Sequence, residues 1–335
     1  MINVAIVGLG NMGRGAIKAV RSNPDMRLVA IFTRRLEQVR ADVGDILVLP
    51  TKGYVLPKGL KIDVAVLCGG SKEDIPIQGP EFAAKFNTVD GFDTHADIPD
   101  YFQKMRKVAK RNGNVSIIST GWDPGIFSLE RILGDSFLPG SKRYTFWGRG
   151  VSQGHSDAVR KLEGVLDARQ YTIPFEEAIE RVRAGETPDF TKREMHKRLV
   201  YVVAKEGADK QKIEKGIVEM PKYFDEYNTE VVFISKEEME RDHSAYPHGG
   251  FVMTSGMTGS DNRQVIEYGC QLVSNPEFTA SVLVACARAA YRLNQTKYRW
   301  LLFFKKKSSG AFTLLDIPLG FLSPHPAETL RSKFM

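Results

Sequence analysis

The apolar positions in the first 120 residues form short continuous runs, separated by glycine, proline and charged residues. A run of this kind is typical of a strand that is covered on both faces, as in a parallel sheet. Helical patterns lie between the runs, for example over 76–86 and 99–112. We therefore predict an α/β domain with a doubly wound parallel sheet, with strands at 2–7, 28–32, 62–67, 88–90 and 115–119.

The pattern changes from about residue 143, where strands and helices alternate at wider spacing. This part predicts an α+β domain with a mainly antiparallel sheet. The last predicted helix is rich in small residues, and we expect it to pack closely and to return to the first domain. The predicted domains are 1–121 rejoined by 276–335, and 122–275. The predicted strands are 144–147, 169–173, 199–204, 230–234 and 251–255, and the predicted helices are 175–184, 209–219 and 277–294.

A glycine motif, Gly8-Leu9-Gly10-Asn11-Met12-Gly13, stands between the first predicted strand and the first helix. Gly8 permits a tight turn, Gly10 lets the backbone approach a pyrophosphate, and Gly13 lets helix and strand pack closely. The helix N-terminus then presents free N–H groups to the phosphates. In this strand–helix–strand context the motif predicts a Rossmann-type dinucleotide site, and a purely structural glycine turn is the alternative.

The end of the second predicted strand indicates which dinucleotide binds. NAD sites usually have Asp or Glu there, whereas this chain has Thr33-Arg34-Arg35. Arginine binds phosphate through two parallel N–H bonds, so the segment favours the 2′-phosphate of NADP over a solvated basic loop. The segments Cys68-Gly69-Gly70-Ser71, Gly91-Phe92-Asp93 and Thr120-Gly121-Trp122-Asp123 follow later strands, where ligands of open α/β sheets bind.

Three polar segments of the second half are candidates for a ligand site. The first is the glycine-rich loop 147–157, which we expect to end in a helix cap at Ser156 or Asp157. The others are His196-Lys197-Arg198 and Pro247-His248-Gly249-Gly250. A structural role is possible for each segment alone. Arg198 and His248 together suit a carboxylate ligand.

Composition excludes several classes of protein. Apolar residues make up 42% and charged residues 26%, as in soluble globular chains rather than disordered or fibrous ones. No stretch approaches the roughly 20 apolar residues of a membrane span, and we expect no secretory signal. The net charge of +7 is spread along the chain, which favours anionic small ligands and does not indicate nucleic acid. The three cysteines form no Cys-x-x-Cys pair, so we predict no disulfide framework, no metal site and a cytoplasmic protein.

These residues together resemble the meso-2,6-diaminopimelate D-dehydrogenase family, and the resemblance extends over nearly the whole chain. The glycine motif is common to many families, but the later segments are specific. The matching segments are 7–13, 32–35, Ser119-Thr120-Gly121-Trp122-Asp123-Pro124-Gly125, Thr145-Phe146-Trp147-Gly148, Ser152-Gln153-Gly154-His155-Ser156-Asp157, His196-Lys197-Arg198, Pro247-His248-Gly249-Gly250 and 275–281.

The resemblance implies a cytoplasmic homodimer that oxidatively deaminates the D-centre of meso-diaminopimelate with NADP, reversibly, in lysine biosynthesis. It implies cofactor contacts at Gly8, Leu9, Gly10, Asn11, Met12, Gly13, Thr33, Arg34, Arg35, Cys68, Gly69, Gly70, Ser71, Gly91, Phe92, Asp93, Thr120, Gly121, Trp122, Asp123 and Pro124. It implies substrate contacts at Asp93, Asp123, Trp147, Gln153, Gly154, Thr172, Arg198, His248 and Asn275. The second domain is expected to contribute to the dimer contact.

The chemistry of these residues agrees with that assignment. Asp93 and Asp123 can bind the ammonium at the reacting carbon, and a carboxylate near it can accept its proton. Arg198, with Thr172 and His248, can bind the carboxylate at the unreacting end. A one-headed amino acid would leave those polar groups unpaired. Asp123 is our candidate for the base, although the sequence does not decide between the two aspartates.

Other functions share parts of this pattern. Dihydrodipicolinate reductases and sugar oxidoreductases also join an NADP domain to a mixed domain, but the sugar enzymes have Glu-Lys-Pro where this chain has Asp90-Gly91-Phe92-Asp93. A silent NADP sensor would not need Asp123, Arg198 and His248 together. The chain also departs from the family at residues 296–309, an apparent insertion that ends in three lysines, for which we favour a packed surface extension.

Overall fold

The computed structural model describes residues 1–296 and 308–335. The chain divides into two compact units, Met1–Leu129 with Pro276–Met335, and Glu130–Asn275. The first boundary therefore lies after Leu129, not after the predicted residue 121. The reason is that the turn beyond 121 remains bonded to the first unit, since the Ile126 N–H donates to the Gly121 carbonyl at 3.1 Å. Most of the predicted insertion, 297–307, lies outside the described residues.

The strands are β1 (Ile2–Val7), β2 (Met26–Thr33), β3 (Leu47–Pro50), β4 (Val64–Leu67), β5 (Asn87–Asp90), β6 (Val115–Ile117), β7 (Lys142–Trp147), β8 (Gly150–Ser152), β9 (Val165–Pro174), β10 (His196–Ala204), β11 (Asn228–Phe233), β12 (His248–Thr258), β13 (Asn262–Leu272) and β14 (Gly310–Phe312). The helices are α1 (Asn11–Arg21), α2 (Leu36–Val43), α3 (Ile75–Ala83), α4 (Ile98–Asn112), α5 (Phe127–Phe137), α6 (Gln153–Arg160), α7 (Glu176–Arg183), α8 (Lys192–Met195), α9 (Lys210–Val218), α10 (Lys236–Asp242), α11 (Asn275–Gln295) and α12 (Ala327–Phe334). None of the described helices is both long and apolar enough to cross a membrane.

The first unit is built on a parallel sheet. Among the described residues its strand order is β3-β2-β1-β4-β5-β6-β14, which reverses beside β1 as in a Rossmann fold. The predicted doubly wound parallel sheet is confirmed. Because side chains alternate along a strand, Val4 and Ile6 face one layer and Ala5 and Val7 face the other. Both layers are buried, which explains the continuous apolar runs.

Helices α1 and α11 supply the layer against Val4 and Ile6. Their contact surfaces consist mostly of small side chains, including Ala16, Ala19, Ala287 and Ala290. Small side chains let a helix approach its neighbours closely. This packing keeps α1, and therefore its N-terminus at the glycine motif, in a fixed position relative to β1.

The second unit contains two sheets, and its mainly antiparallel character is confirmed. One sheet has the order β11-β10-β9-β8, in which the β10–β11 pair is parallel and the other pairs are antiparallel. The other is the antiparallel sheet β13-β12-β7. Val159 of α6 and Ile217 of α9 pack on the first sheet, and Ile179 of α7 packs on the second.

The predicted helix cap at Ser156 or Asp157 is wrong. Helix α6 begins four residues earlier than Asp157, at Gln153, and its cap is Ser152, whose hydroxyl accepts from the His155 N–H. Ser156 lies inside the helix, and its Oγ donates to the Ser152 carbonyl at 2.6 Å. Gly154 obscures this start in the sequence because glycine costs about 1 kcal/mol in a helix interior. The cap offsets part of that cost.

Candidate active site

The predicted cofactor segments of the first unit follow β1, β2, β4, β5 and β6. Parallel neighbouring strands end at the same edge of a sheet, so these segments lie along one edge. In open α/β sheets this carboxyl edge is where ligands bind. The structure thus brings the predicted residues of this unit together, from the glycine motif to Pro124.

The glycine motif forms a tight turn that requires glycine at residues 8 and 13. Gly8 has φ +93°, a conformation that L side chains rarely adopt. A Cβ on Gly13 would lie 2.2 Å from the Gly8 carbonyl oxygen, whereas a Cβ on Gly10 would meet open space. The space in front of Gly10 is thus free for a ligand to contact the backbone.

The N-terminus of α1 opens onto that space. It has no side-chain cap, and its first turn contains no acidic residue. The N–H groups of a first helical turn have no partner within the helix, and the helix dipole makes this end partly positive. A pyrophosphate therefore fits the site, and the observed turn agrees with the role predicted for residues 8–13.

A cavity of about 450 Å³ is lined by residues at the ends of β2 and β3 and by residues of α3. Thr33, Arg34, Lys52 and Gln78 are in its lining. Gln78 Oε1 is buried and has no hydrogen-bond partner among the described residues. Asp74 and Glu81 also line the cavity, beside the two cations. The cations and the Thr33 hydroxyl are groups that suit a ribose that bears a phosphate.

The two adjacent arginines have different contacts. Arg34 lines the cavity and forms an ion pair with Asp74 at 3.1 Å, while its side chain is 72% exposed. Arg35 donates instead to the Leu9 carbonyl at 2.7 Å and thereby supports the glycine turn. Neither Lys52 nor Gln78 was predicted as a site residue. The apolar run that ends at Pro50 was a signal for β3, the strand that places Lys52.

The turn after β4 links two parts of the edge. The Ser71 hydroxyl accepts from the Asp93 N–H at 2.9 Å. Burial raises the pKa of the Cys68 thiol to about 12, so the thiol stays protonated. Cys68 therefore packs in the hydrophobic core and does not act as a nucleophile. Among the described residues, no three His, Cys, Asp or Glu side chains could together hold a metal ion.

The two candidate catalytic aspartates lie in the turns after β5 and β6, which are neighbouring strands. Asp93 is exposed, whereas Asp123 is half-buried and its Oδ1 is inaccessible to solvent. Carboxylates at one sheet edge suit an ammonium group, and a carboxylate near it can accept its proton.

Arg198 is the most unusual residue of the second unit. Its side chain is 6% exposed, donates to the Thr172 hydroxyl from the opposite strand, and stacks on Tyr227 at 3.9 Å from the ring centre. No carboxylate pairs with it among the described residues, and its Nε has no acceptor there. Burial lowers its pKa. A buried guanidinium without an acid indicates a binding site for an anion.

Trp147, another predicted substrate residue, is oriented by His196. The main-chain N–H of Trp147 donates to His196 Nε2 at 2.9 Å, and the centres of the two rings lie 5.5 Å apart. Burial, with a smaller contribution from the Arg198 charge, lowers the pKa of His196 to about 3. His196 therefore stays neutral and can act as the acceptor.

Close backbone contacts bring the remaining polar residues of this unit near Arg198. A Cβ on Gly148 would lie 2.2 Å from the Thr172 carbonyl oxygen, and one on Gly150 would lie 2.4 Å from the His248 Cα. The Asn275 N–H donates to the Tyr246 carbonyl at 2.9 Å, two residues before His248. Gln153 and Gly154 open α6 directly after β8. The structure thus places these predicted substrate residues around the same strand ends.

Comparison with known proteins gives one consistent result. Residues 121–274 match the diaminopimelic acid dehydrogenase C-terminal domain family. The chain is 52% identical to a meso-diaminopimelate D-dehydrogenase of Ureibacillus thermosphaericus over 100% of this chain and 99% of that protein.

Solved structures give the same result. The diaminopimelate dehydrogenase of Corynebacterium glutamicum in complex with DAP matches with a TM-score of 0.89 and 42% identity, over 100% of this chain and 99% of that one. A substituted meso-diaminopimelate dehydrogenase of Clostridium tetani E88 with DAP matches with a TM-score of 0.87 and 46% identity, over 100% of both chains. An engineered D-amino acid dehydrogenase bound to NADP+ matches with a TM-score of 0.82 and 39% identity, over 100% of this chain and 99% of that one.

Proposed function

The chain belongs to the meso-diaminopimelate D-dehydrogenase family, and from this premise we propose that it oxidises the D-centre of meso-diaminopimelate with NADP. One substrate, one NADP+ and one water give L-2-amino-6-oxopimelate, ammonia, NADPH and a proton. The C–H and C–N bonds at the D-centre break, and a C=O bond forms there. The reverse direction is a reductive amination.

The observation that supports this proposal most directly is the buried guanidinium of Arg198. It has no acid partner among the described residues, so it is available to a substrate carboxylate. Thr172 is hydrogen-bonded to Arg198, and His248 lies beside Gly150 of the neighbouring strand. In this proposal both residues also bind the unreacting amino-acid head. A substrate with carboxylates at both ends uses these groups, and a one-headed amino acid leaves them unpaired.

The first unit binds the reacting head in this proposal. Asp93 and Asp123 bind its ammonium group, and Asp123 accepts a proton so that the nitrogen becomes neutral before hydride leaves the carbon. NADP supplies the hydride acceptor when it is bound. The α1 N-terminus and glycine turn would hold its pyrophosphate, and Thr33, Arg34, Lys52 and Gln78 would hold the phosphorylated ribose.

The Clostridium tetani enzyme in the structure with DAP is a substituted variant. Its six replacements remove a Gln, a Thr, an Arg, a Pro, a His and an Asn. The same residue types occur in this chain in the same order and with the same spacings. They are Gln153, Thr172, Arg198, Pro247, His248 and Asn275. Pro247 is the member of this set that our list of substrate residues lacked.

The assembly and location that the resemblance implies are part of the proposal. We propose a cytoplasmic homodimer that acts in lysine biosynthesis. The described cysteines, Cys68, Cys270 and Cys286, are free thiols, as is usual in a reducing compartment. Light scattering on the purified protein tests the dimer, and a monomeric mass would contradict it.

An assay of the purified protein tests the activity. With meso-diaminopimelate and NADP+ it should produce NADPH absorbance and ammonia together, at least tenfold faster than with NAD+. The LL and DD stereoisomers and simple D-amino acids are the comparison substrates, and we expect the meso form to be preferred over all of them. Turnover of simple sugars in place of diaminopimelate would refute the proposal.

Arg34→Ala should raise the Kd for NADP+ about tenfold, because it removes a charge-assisted bond to the 2′-phosphate. Lys52→Ala should raise it about threefold, since lysine binds phosphate as a single flexible charge. The Kd for NAD+, which lacks that phosphate, should stay within twofold of the parent value for both variants. Titration of intrinsic fluorescence with each dinucleotide measures these constants.

Arg40→Ala is the matched control for the cofactor variants. Arg40 is an exposed arginine of α2 that pairs with Glu37 at 2.8 Å, outside the cavity lining. It should leave both dissociation constants unchanged. Equal losses of NADP+ and NAD+ affinity in Arg34→Ala would show that this residue does not read the 2′-phosphate.

A further inference from the structure

The turns that carry Asp93 and Asp123 begin where the pairing of their strands stops. The β5–β6 ladder contains only the pairs Thr88↔Ser116 and Val89↔Ile117. Beyond it the two turns lie in contact, since a Cβ on Gly91 would be 3.2 Å from the Thr120 carbonyl oxygen. One main-chain bond continues the pairing beyond the ladder, from the Thr120 N–H to the Asp90 carbonyl oxygen. Side-chain bonds to the two turns act in addition to it.

Asp90 makes the hydrogen bonds that join the two turns. Its Oδ1 accepts from the Phe92 N–H and from the Ser119 N–H, both at 3.1 Å. Its carbonyl oxygen accepts from the Thr120 N–H at 3.0 Å. One residue thus bonds to both the turn that precedes Asp93 and the turn that precedes Asp123.

Ser119 needs this support because its backbone is strained. Its φ is +52°, which is uncommon for a residue other than glycine. Its hydroxyl is buried without a hydrogen-bond partner among the described residues, so its own side chain does not stabilise the conformation. Strained residues persist where surrounding contacts determine them, and the bond to Asp90 is such a contact.

The third hydrogen bond of the Asp90 carboxylate comes from Tyr101 on α4. The Tyr101 hydroxyl donates to Oδ2 at 2.8 Å, and burial raises its pKa, so it stays protonated. The Asp90 side chain is fully buried, and burial raises its pKa to about 6. No lysine or arginine pairs with it in the described parts of the chain. A buried carboxylate without a cation costs stability, and such a cost is common at functional sites.

We propose that Asp90 is a positioning residue of the reaction, whose carboxylate fixes the spacing between the Asp93 turn and the Asp123 turn. This inference rests on the proposed function, in which both aspartates bind the reacting ammonium. Asp90 itself lies beneath the turns and acts through them. Tyr101 acts through Asp90 by orienting its carboxylate.

The test compares Asp90→Asn, Tyr101→Phe and the double variant. Asp90→Asn keeps the shape but weakens the bonds to the turns, and it should lower kcat about 10-fold to 100-fold. The KM for meso-diaminopimelate and the Kd for NADP+ should change less than threefold. Tyr101→Phe should lower kcat about threefold, and the double variant should match Asp90→Asn, because the two residues act as one unit.

Asp63→Asn is the matched control. Asp63 is also buried, and its carboxylate accepts a hydrogen bond from the main-chain N–H of Asn3 at 2.9 Å. It directly precedes β4, so it lies at the amino ends of the parallel strands, away from the turns that carry Asp93 and Asp123. It should lower the melting temperature without changing kcat. If Asp90→Asn lowers the melting temperature similarly and keeps kcat within twofold of the parent, Asp90 is merely structural and the inference is wrong.

Hydrogen exchange separates this inference from the proposed function. Asp90→Asn should speed amide exchange in the peptides that cover 91–93 and 118–123, and Asp63→Asn should not. If the parent protein fails to oxidise diaminopimelate, the proposed function fails, and exchange still decides whether Asp90 joins the turns. Unchanged exchange in both peptides of Asp90→Asn would overturn the inference whatever the activity.

Discussion

Arg198→Met should lower kcat/KM for meso-diaminopimelate about 100-fold to 1,000-fold while leaving the fold as stable as the parent protein, or more stable. The loss of activity follows because the carboxylate of the unreacting head loses a buried, bidentate partner. The stability result follows because the guanidinium is buried without an acid among the described residues. Methionine fills much of the same volume and removes the cost of a buried, unpaired charge.

Arg169→Met is the control for this prediction. Arg169 lies on β9 in the same sheet, but it is paired, with Asp167 Oδ1 at 2.8 Å and the His243 carbonyl at 3.2 Å. Its replacement should lower stability and leave kcat/KM within threefold of the parent. Urea unfolding and initial-rate kinetics measure both effects. If Arg198→Met destabilised the protein and left kcat/KM unchanged, Arg198 would be structural, and the proposed carboxylate site would lose its main support.

The sequence predicted the central sheet well because its strands are buried on both faces. Such strands show as uninterrupted apolar runs, and the glycine motif adds an independent signal between β1 and α1. The strands that we did not predict in this sheet are β3 and β14, which lie at its two edges. Each has only three or four residues. In addition, Gly310–Phe312 pairs with β6, which is distant in the sequence.

The candidate site was predictable to the level of segments, because parallel strands present their following turns at one edge. Individual partners were not predictable. Lys52 reaches the cavity only because β3 pairs with β2, and Asp90 has donors from its own turn, from the turn after β6 and from α4. That no acid of the described residues pairs with Arg198 is likewise a property of the packed structure, since acidic residues such as Glu194 occur nearby in the sequence.

Asp123→Asn should lower kcat about 100-fold to 1,000-fold, while the Kd for NADP+ stays within twofold of the parent value. Asparagine still accepts a hydrogen bond from the substrate ammonium, so binding persists. It cannot accept a proton at neutral pH, so the nitrogen stays charged and hydride loss from the carbon is disfavoured. The partial burial of Asp123 restricts replacement of its carboxylate by water. Steady-state kinetics and fluorescence titration with NADP+ measure the two effects.

Two further variants make the assignment of the base decisive. Asp93 is exposed at the same sheet edge, so Asp93→Asn should raise the KM for diaminopimelate more than it lowers kcat. Asp97→Asn, an exposed carboxylate four residues later, should change neither constant. If Asp123→Asn retained more than about a tenth of the parent kcat while Asp93→Asn lost about 100-fold, the proton would go to Asp93. The exposed carboxylate would then be the base, and Asp123 would only bind the ammonium.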